Sequence, residues 1–126
     1  KSGDVMFNVP RQVKIFVALD PVDMRRGFDG LSALVQETLQ QDPLSGHLFL
    51  FRNRRRDRVK LLFWDGDGYA LFYKRLARGT FELPVPQDPQ SPSIEIRGSE
   101  LSMLLDGIEL EGRRRRRRYE RPAVPA

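Results

Sequence analysis

From residue 47 onward the chain is written as short apolar and aromatic runs separated by turn residues, and this punctuation limits the possible folds more than any other feature. The runs are 47–52 (His-Leu-Phe-Leu-Phe-Arg), 58–64 (Arg-Val-Lys-Leu-Leu-Phe-Trp), 69–75 (Tyr-Ala-Leu-Phe-Tyr-Lys-Arg) and 79–83 (Gly-Thr-Phe-Glu-Leu). Each has the length of a strand, and connections this short join antiparallel neighbours, so the pattern predicts an antiparallel meander. Asp65-Gly66-Asp67-Gly68 supplies the glycines and aspartates that a tight hairpin with positive φ demands, which pairs the second run with the third. Pro84, Pro86, Pro89 and Pro92 cannot donate ladder hydrogen bonds; 84–92 therefore reads as an extended connector, followed by a short edge strand at 93–96.

Upstream, Val13, Ile15 and Val17 alternate over 12–18 as in a strand, which Asp20-Pro21 ends. Asp23 stands where a helix N-cap belongs, and Phe28, Leu31, Leu34, Val35 and Leu39 recur at helical spacing, predicting a helix that ends near Gln41. Gly27 and Gly30 each cost such a helix roughly 1 kcal/mol relative to alanine. Close packing against a strand, a late helix start or backbone approach to a ligand would each offset that cost. A second helix is expected over 99–107, capped by Ser99, with Leu101, Leu104, Leu105 and Ile108 toward the sheet. The expected fold is thus α+β: an antiparallel β-meander of about five to six strands with two helices, forming one domain over residues 10–110 ahead of a disordered basic C-terminal tail, 111–126. Residues 1 to 9 carry no readable pattern, with Met6 a candidate natural start.

The absence of cysteine excludes disulfides and thiolate metal sites, and the single histidine, His47, leaves no zinc ligand set, so neither a metal nor a cofactor is expected. No stretch approaches the roughly 20 apolar residues of a membrane span, which makes a cytoplasmic location without membrane contact the expectation.

Charge is distributed unevenly. Of the 22 basic and 17 acidic side chains, seven arginines and one acid lie at or beyond Arg113, leaving 15 basic against 16 acidic, net −1, in residues 1–112. The tail run is Arg113, Arg114, Arg115, Arg116, Arg117 and Arg118, followed by Tyr119 and Arg121. Guanidinium forks match phosphate geometry, and a flexible cationic arm can track a nucleic-acid backbone while Tyr119 stacks on a base. RNA, an anionic lipid surface or an acidic protein would satisfy the same run.

A second cluster, Arg52, Arg54, Arg55, Arg56 and Arg58, falls in the connection between two strands, with Lys60 beyond it. Such density is self-repelling in a hairpin, and a polyanion would relieve it, although a solvated loop is the competing reading. Lys74 and Arg75, with Arg78, end the next strand and are expected at the same end of the sheet. Trp64, Phe63, Phe72, Tyr73 and Phe81 are expected in the core in preference to a base-stacking platform.

Catalytic signals are weak. Asp65 to Gly68 would open a calcium loop only if a glutamate stood twelfth, where Leu76 stands. Asp20, Asp23, Asp65 and Asp67 could be gathered for two-metal chemistry, but turns and caps already account for them. His47, at a strand start, reads as a surface residue.

Four ordered strings then point to a family: Asp23-Met24-Arg25-Arg26-Gly27-Phe28-Asp29-Gly30-Leu31, Gly46 to Arg52, Lys60-Leu61-Leu62-Phe63-Trp64-Asp65-Gly66-Asp67-Gly68, and Phe72 to Gly79. Together with the closing Leu101 to Ile108 string they closely resemble the TnpB, or Orf2-like, accessory proteins of bacterial insertion sequences of the IS sixty-six family. These are distinct from the much larger RNA-guided nuclease that shares the TnpB name. The resemblance implies a small protein needed for transposition beside a separate transposase that carries the catalytic acids. It covers about residues 12–110, so the tail's role rests on charge alone. The resulting expectation is a non-catalytic transposition factor that holds DNA for the transposase through the 52–60 loop and the arginine tail. An adaptor binding the transposase through 23–31, without direct DNA contact, is the alternative.

Overall fold

The computed structural model describes residues 9–106. It contains, in chain order, β1 (Ile15–Ala18), α1 (Phe28–Glu37), β2 (Leu48–Arg52), β3 (Arg58–Trp64), β4 (Tyr69–Arg75), β5 (Ser93–Ile96) and α2 (Gly98–Asp106). The α+β class follows from these elements. The five strands form one sheet in the order β4-β3-β2-β1-β5.

The sheet is mixed, which corrects the expectation of an antiparallel meander. β2, β3 and β4 are antiparallel neighbours, with Trp64 opposite Tyr69 and Arg58 opposite Arg75 at the two ends of one pair. β5 is antiparallel to β1, but β1 runs parallel to β2, with Ile15 opposite Leu48. The cause lies in the connection: a parallel pair requires a long crossover, and α1 lies within that crossover. The run 79–83 forms no strand either. Pro84 and Pro86 interrupt any ladder, and Phe81 is instead drawn wholly into the core by its side chain, a burial contributing about 1.5–3 kcal/mol.

Alternation along the strands sends Ile15, Val17, Leu48, Leu50, Val59 and Leu61 to one face, where they pack with Phe81 and with Leu101, Leu104 and Leu105 of α2. Ala18, Phe49, Phe51 and Leu62 face the other way, against Leu31, Val35 and Leu39 of α1. The sheet is therefore covered by a helix on each side.

The helix ends show where local chemistry overrides periodicity. Asp23 caps no helix: its Oδ1 accepts from the Arg25 amide at 2.8 Å, and its carbonyl accepts from the Arg26 amide at 3.1 Å, so 23–26 is a turn. α1 starts later, with Gly27 extended at the N-cap and its carbonyl accepting from the Leu31 amide. At the far end Gln40 has φ 57, and the Gln41 amide donates to the Val35 carbonyl, closing the helix in a left-handed turn before Pro43. In α2 the cap is not Ser99. Glu100 reaches back to accept from the Arg97 amide at 2.8 Å, half of a capping box.

Candidate nucleic-acid interface

The loops leaving the carboxyl ends of the parallel strands β1 and β2 stand side by side, the place where open α/β sheets commonly hold ligands. The Val22 amide donates to the Arg52 carbonyl at 2.9 Å and fixes the first loop against the end of β2. Between the loops lies an open cleft of about 720 Å³. Pro21 to Arg25 form one wall; Asn53, Arg54, Arg55, Asp57 and Arg58 form the other, and Tyr73 of β4 completes the lining.

The arginine hairpin is closed by Asn53. Its Oδ1 accepts from the Arg58 amide at 3.0 Å, its Nδ2 donates to Asp57 Oδ1 at 2.7 Å, and its carbonyl accepts from the Arg56 amide. Arg56 pays for this closure with φ 66, a left-handed conformation costly for any residue with a Cβ.

The five arginines of this segment have different roles. Arg52 donates from Nη1 to the Phe81 carbonyl at 2.7 Å; burial is the main cause holding its pKa below the usual arginine value, with nearby Arg56 acting in the same direction. Arg56 lies 3.6 Å from Glu82, an exposed pair that contributes little to stability. Arg58 donates to the Tyr73 hydroxyl at 3.1 Å. Arg54 and Arg55 are exposed, and among the described residues neither side chain has an ion pair or hydrogen-bond partner. Arg52 and Arg56 thus have acceptors within the protein, although they still repel each other, while Arg54 and Arg55 are left to the cleft.

Two expected phosphate ligands hold structural posts instead. Lys60 is only 7% exposed; its Nζ donates to the Arg26 carbonyl at 2.7 Å and lies 4.8 Å from the centroid of the Tyr73 ring. Burial removes Lys60 from any phosphate and makes it the strut between the 23–26 turn and the sheet. Lys74 donates to the Leu105 carbonyl at 2.7 Å, the favourable placement of a cation at the C-terminal end of α2. Arg75 is exposed directly opposite Arg58, a like-charge pair at the cleft end of the sheet.

Asp23, Met24 and Arg25 line the cleft, and Asp23 holds Arg25 through both oxygens, the shortest contact being 2.7 Å. The Arg25 side chain is nevertheless 92% exposed. Its guanidinium, hydrogen-bonded to Asp23, lowers that carboxyl to about 2, and Asp23 in turn raises Arg25. Arg26 supplies its carbonyl to Lys60, and its side chain runs close over Gly30, where an added Cβ would come within 3.2 Å. Gly27 provides the late helix start.

Trp64, Asp65, Gly66 and Gly68 are not brought to this cleft. They occupy the opposite end of β3, where Trp64 meets Tyr69 edge-on at 5.2 Å and Asp65 accepts from the Asp67 and Gly68 amides. His47 is half-buried rather than a surface residue, its Nδ1 accepting from the Lys14 amide at 3.0 Å. Arg113 to Arg118 lie outside the described residues.

Among the cleft residues that sequence reasoning missed, with Asn53 and Asp57, is Tyr73, expected in the core but 47% exposed. A signal for it exists: counting back from the Asp65–Gly68 turn pairs Tyr73 with Lys60 and sets Arg58 opposite Arg75.

A family profile described as "IS66 Orf2 like protein" matches residues 13–115, most of the chain. The chain belongs to this IS66 Orf2-like family. Two relatives come from Sinorhizobium fredii (strain NBRC 101917 / NGR234). The uncharacterized protein y4jC is 38% identical over 121 residues, 96% of this chain and 100% of that protein. The uncharacterized protein y4hO is 41% identical over 99 residues, 79% of this chain and 84% of that protein. No solved structure matches. Membership places this IS66 Orf2-like chain in the setting of insertion-sequence transposition, in a family of accessory proteins. Among the described residues, no helix is long and apolar enough to cross a membrane.

Proposed function

We propose that this IS66 Orf2-like protein is a non-catalytic, cytoplasmic accessory factor of transposition that binds DNA and presents it to the transposase of the same element. The observation that carries this reading is the convergence of Arg25, Arg54, Arg55 and Arg58 on one cleft, with two of the four lacking any side-chain partner among the described residues. Guanidinium groups in such a setting gain phosphate contacts at little cost in existing bonds. In this reading, residues 10–110 form the single domain and 111–126 a basic arm, with Arg113 to Arg118 adding sequence-independent affinity.

Salt dependence tests both parts. Six phosphates neutralised by the tail correspond to a slope of roughly −5 in log affinity against log salt on duplex DNA, and removing residues 113–121 should flatten it by that amount. Replacing Arg54 and Arg55 by serine should reduce the slope by up to about 2 more. Unchanged slopes in both variants would refute the proposal.

The adaptor reading is favoured by one further feature, a smaller cavity of about 250 Å³ behind the motif loop, where Ala18, Val22, Leu34, Leu39 and Phe51 are joined by Asp20, Asp23, Arg26 and Thr38. It suits a side chain of the transposase with an apolar body and a polar tip. Co-purification of the two proteins that survives nuclease treatment, without DNA affinity of the isolated chain, would decide for it.

A further inference from the structure

We infer that the arginine cleft takes an unpaired nucleotide, so that the DNA held by this domain is single-stranded where it enters the site. This deepens the DNA-binding proposal and rests on it.

Size comes first. Arg25, Arg54 and Arg55 border an open cleft of about 720 Å³, within the range of roughly 300–1,000 Å³ typical of small-ligand sites and so large enough for one nucleotide. The Tyr73 ring comes next. Lys60 is buried and approaches the Tyr73 ring, and Arg58 holds the hydroxyl. With the buried ammonium on its inner side, the half-exposed ring turns its outer side to the cleft, oriented as a stacking surface for a base. Base–aromatic stacking of this kind recurs in single-strand binding.

The test compares a 12-residue deoxythymidine strand, a ribouridine strand and a random duplex of equal length, each fluorescently labelled, on the full chain and on Tyr73→Leu, Tyr73→Phe and the Arg54→Ser/Arg55→Ser double variant. The deoxythymidine strand should bind at least tenfold more tightly than the duplex. Tyr73→Leu should lose roughly tenfold on the single strand and little on the duplex, while Tyr73→Phe keeps the affinity because it keeps the ring. A strand carrying 5-iododeoxyuridine should photocrosslink to Tyr73 in the unmodified protein, a readout that survives if Tyr73→Leu fails to fold. Duplex preference, equal binding by Tyr73→Leu, or crosslinking confined to other residues would overturn the inference while leaving DNA binding in place. Tighter binding of the ribouridine strand would overturn the assignment to DNA. No binding to any of the three would overturn both.

Discussion

The strand β3 ends in two tight connections of opposite character. At its C-terminal end the Asp65 amide donates to the Gly68 carbonyl, Asp65 Oδ1 collects the Asp67 and Gly68 amides at 3.2 Å, and glycine occupies the position with φ 110. Every residue type there suits its conformation. At the N-terminal end, arginine stands in the left-handed position, and Arg58 faces Arg75 across the pair. One connection is composed for folding. The other accepts backbone strain at Arg56, a departure of the kind that concentrates where a protein meets its ligand. The two ends of β3 thus differ on grounds independent of the family.

The largest expected effect comes from the strut of the arginine end. Lys60→Met keeps the volume but removes a charge-assisted hydrogen bond, leaving the Arg26 carbonyl without its donor. Stability should fall by about 2–3 kcal/mol in urea titrations. Because the 23–26 turn loses its tie to the sheet, DNA affinity should fall as well. Unaltered affinity in folded Lys60→Met would separate the motif loop from the site.

Gly66→Ala probes the opposite end. Nothing lies within 4 Å of the added Cβ, so the cost is purely conformational, about 1–3 kcal/mol at φ 110. Affinity of the folded fraction should stay the same. A binding defect here would bring the Asp65–Gly68 turn into the interface and abolish the contrast between the ends.

Arg56→Gly should act in the reverse sense. Relief of the left-handed strain gives at most about 1 kcal/mol of added stability, reduced by the greater freedom of glycine in the unfolded chain. Arg56 does not line the cleft, so binding should change far less than in the Arg54→Ser/Arg55→Ser variant. Thermal unfolding and titration of one DNA probe measure both.

The same contrast explains what can be read from the sequence. β3 and β4 are legible to the residue because the Asp65–Gly68 turn fixes their register, and period-two alternation does the rest. Strand direction is not encoded in alternation, so the parallel pairing of β1 with β2 is visible only through the crossover that contains α1. Asp23 looks like a helix cap because an aspartate before a periodic segment serves equally in a local turn, and only the bonds to Arg25 and Arg26 distinguish the two. The arginine cluster is legible as a cluster. Its division into Arg52 tied to Phe81 and Arg54 and Arg55 facing the cleft depends on where 76–83 returns, which no local pattern states.

The smallest effect is a titration. The Asp23 carboxyl falls from 3.8 to about 2 chiefly through its hydrogen bonds from the Arg25 side chain, whereas Asp65 is lowered chiefly by the Asp67 amide and Asp67 is raised by Asp65. For a depressed carboxyl the folded state gains above the ordinary value and loses that gain as pH falls through the lowered one, so the 23–26 turn should stay closed at neutral pH and loosen only between about pH 4 and 2. Carbon-detected NMR of the Asp23 carboxyl should give a midpoint of about 2, returning toward 3.8 in Arg25→Gln. A bound strand that draws Arg25 onto phosphate should raise the Asp23 midpoint and leave Asp65 unmoved. Equal movement of both carboxyls would mean that DNA does not distinguish the two ends of β3.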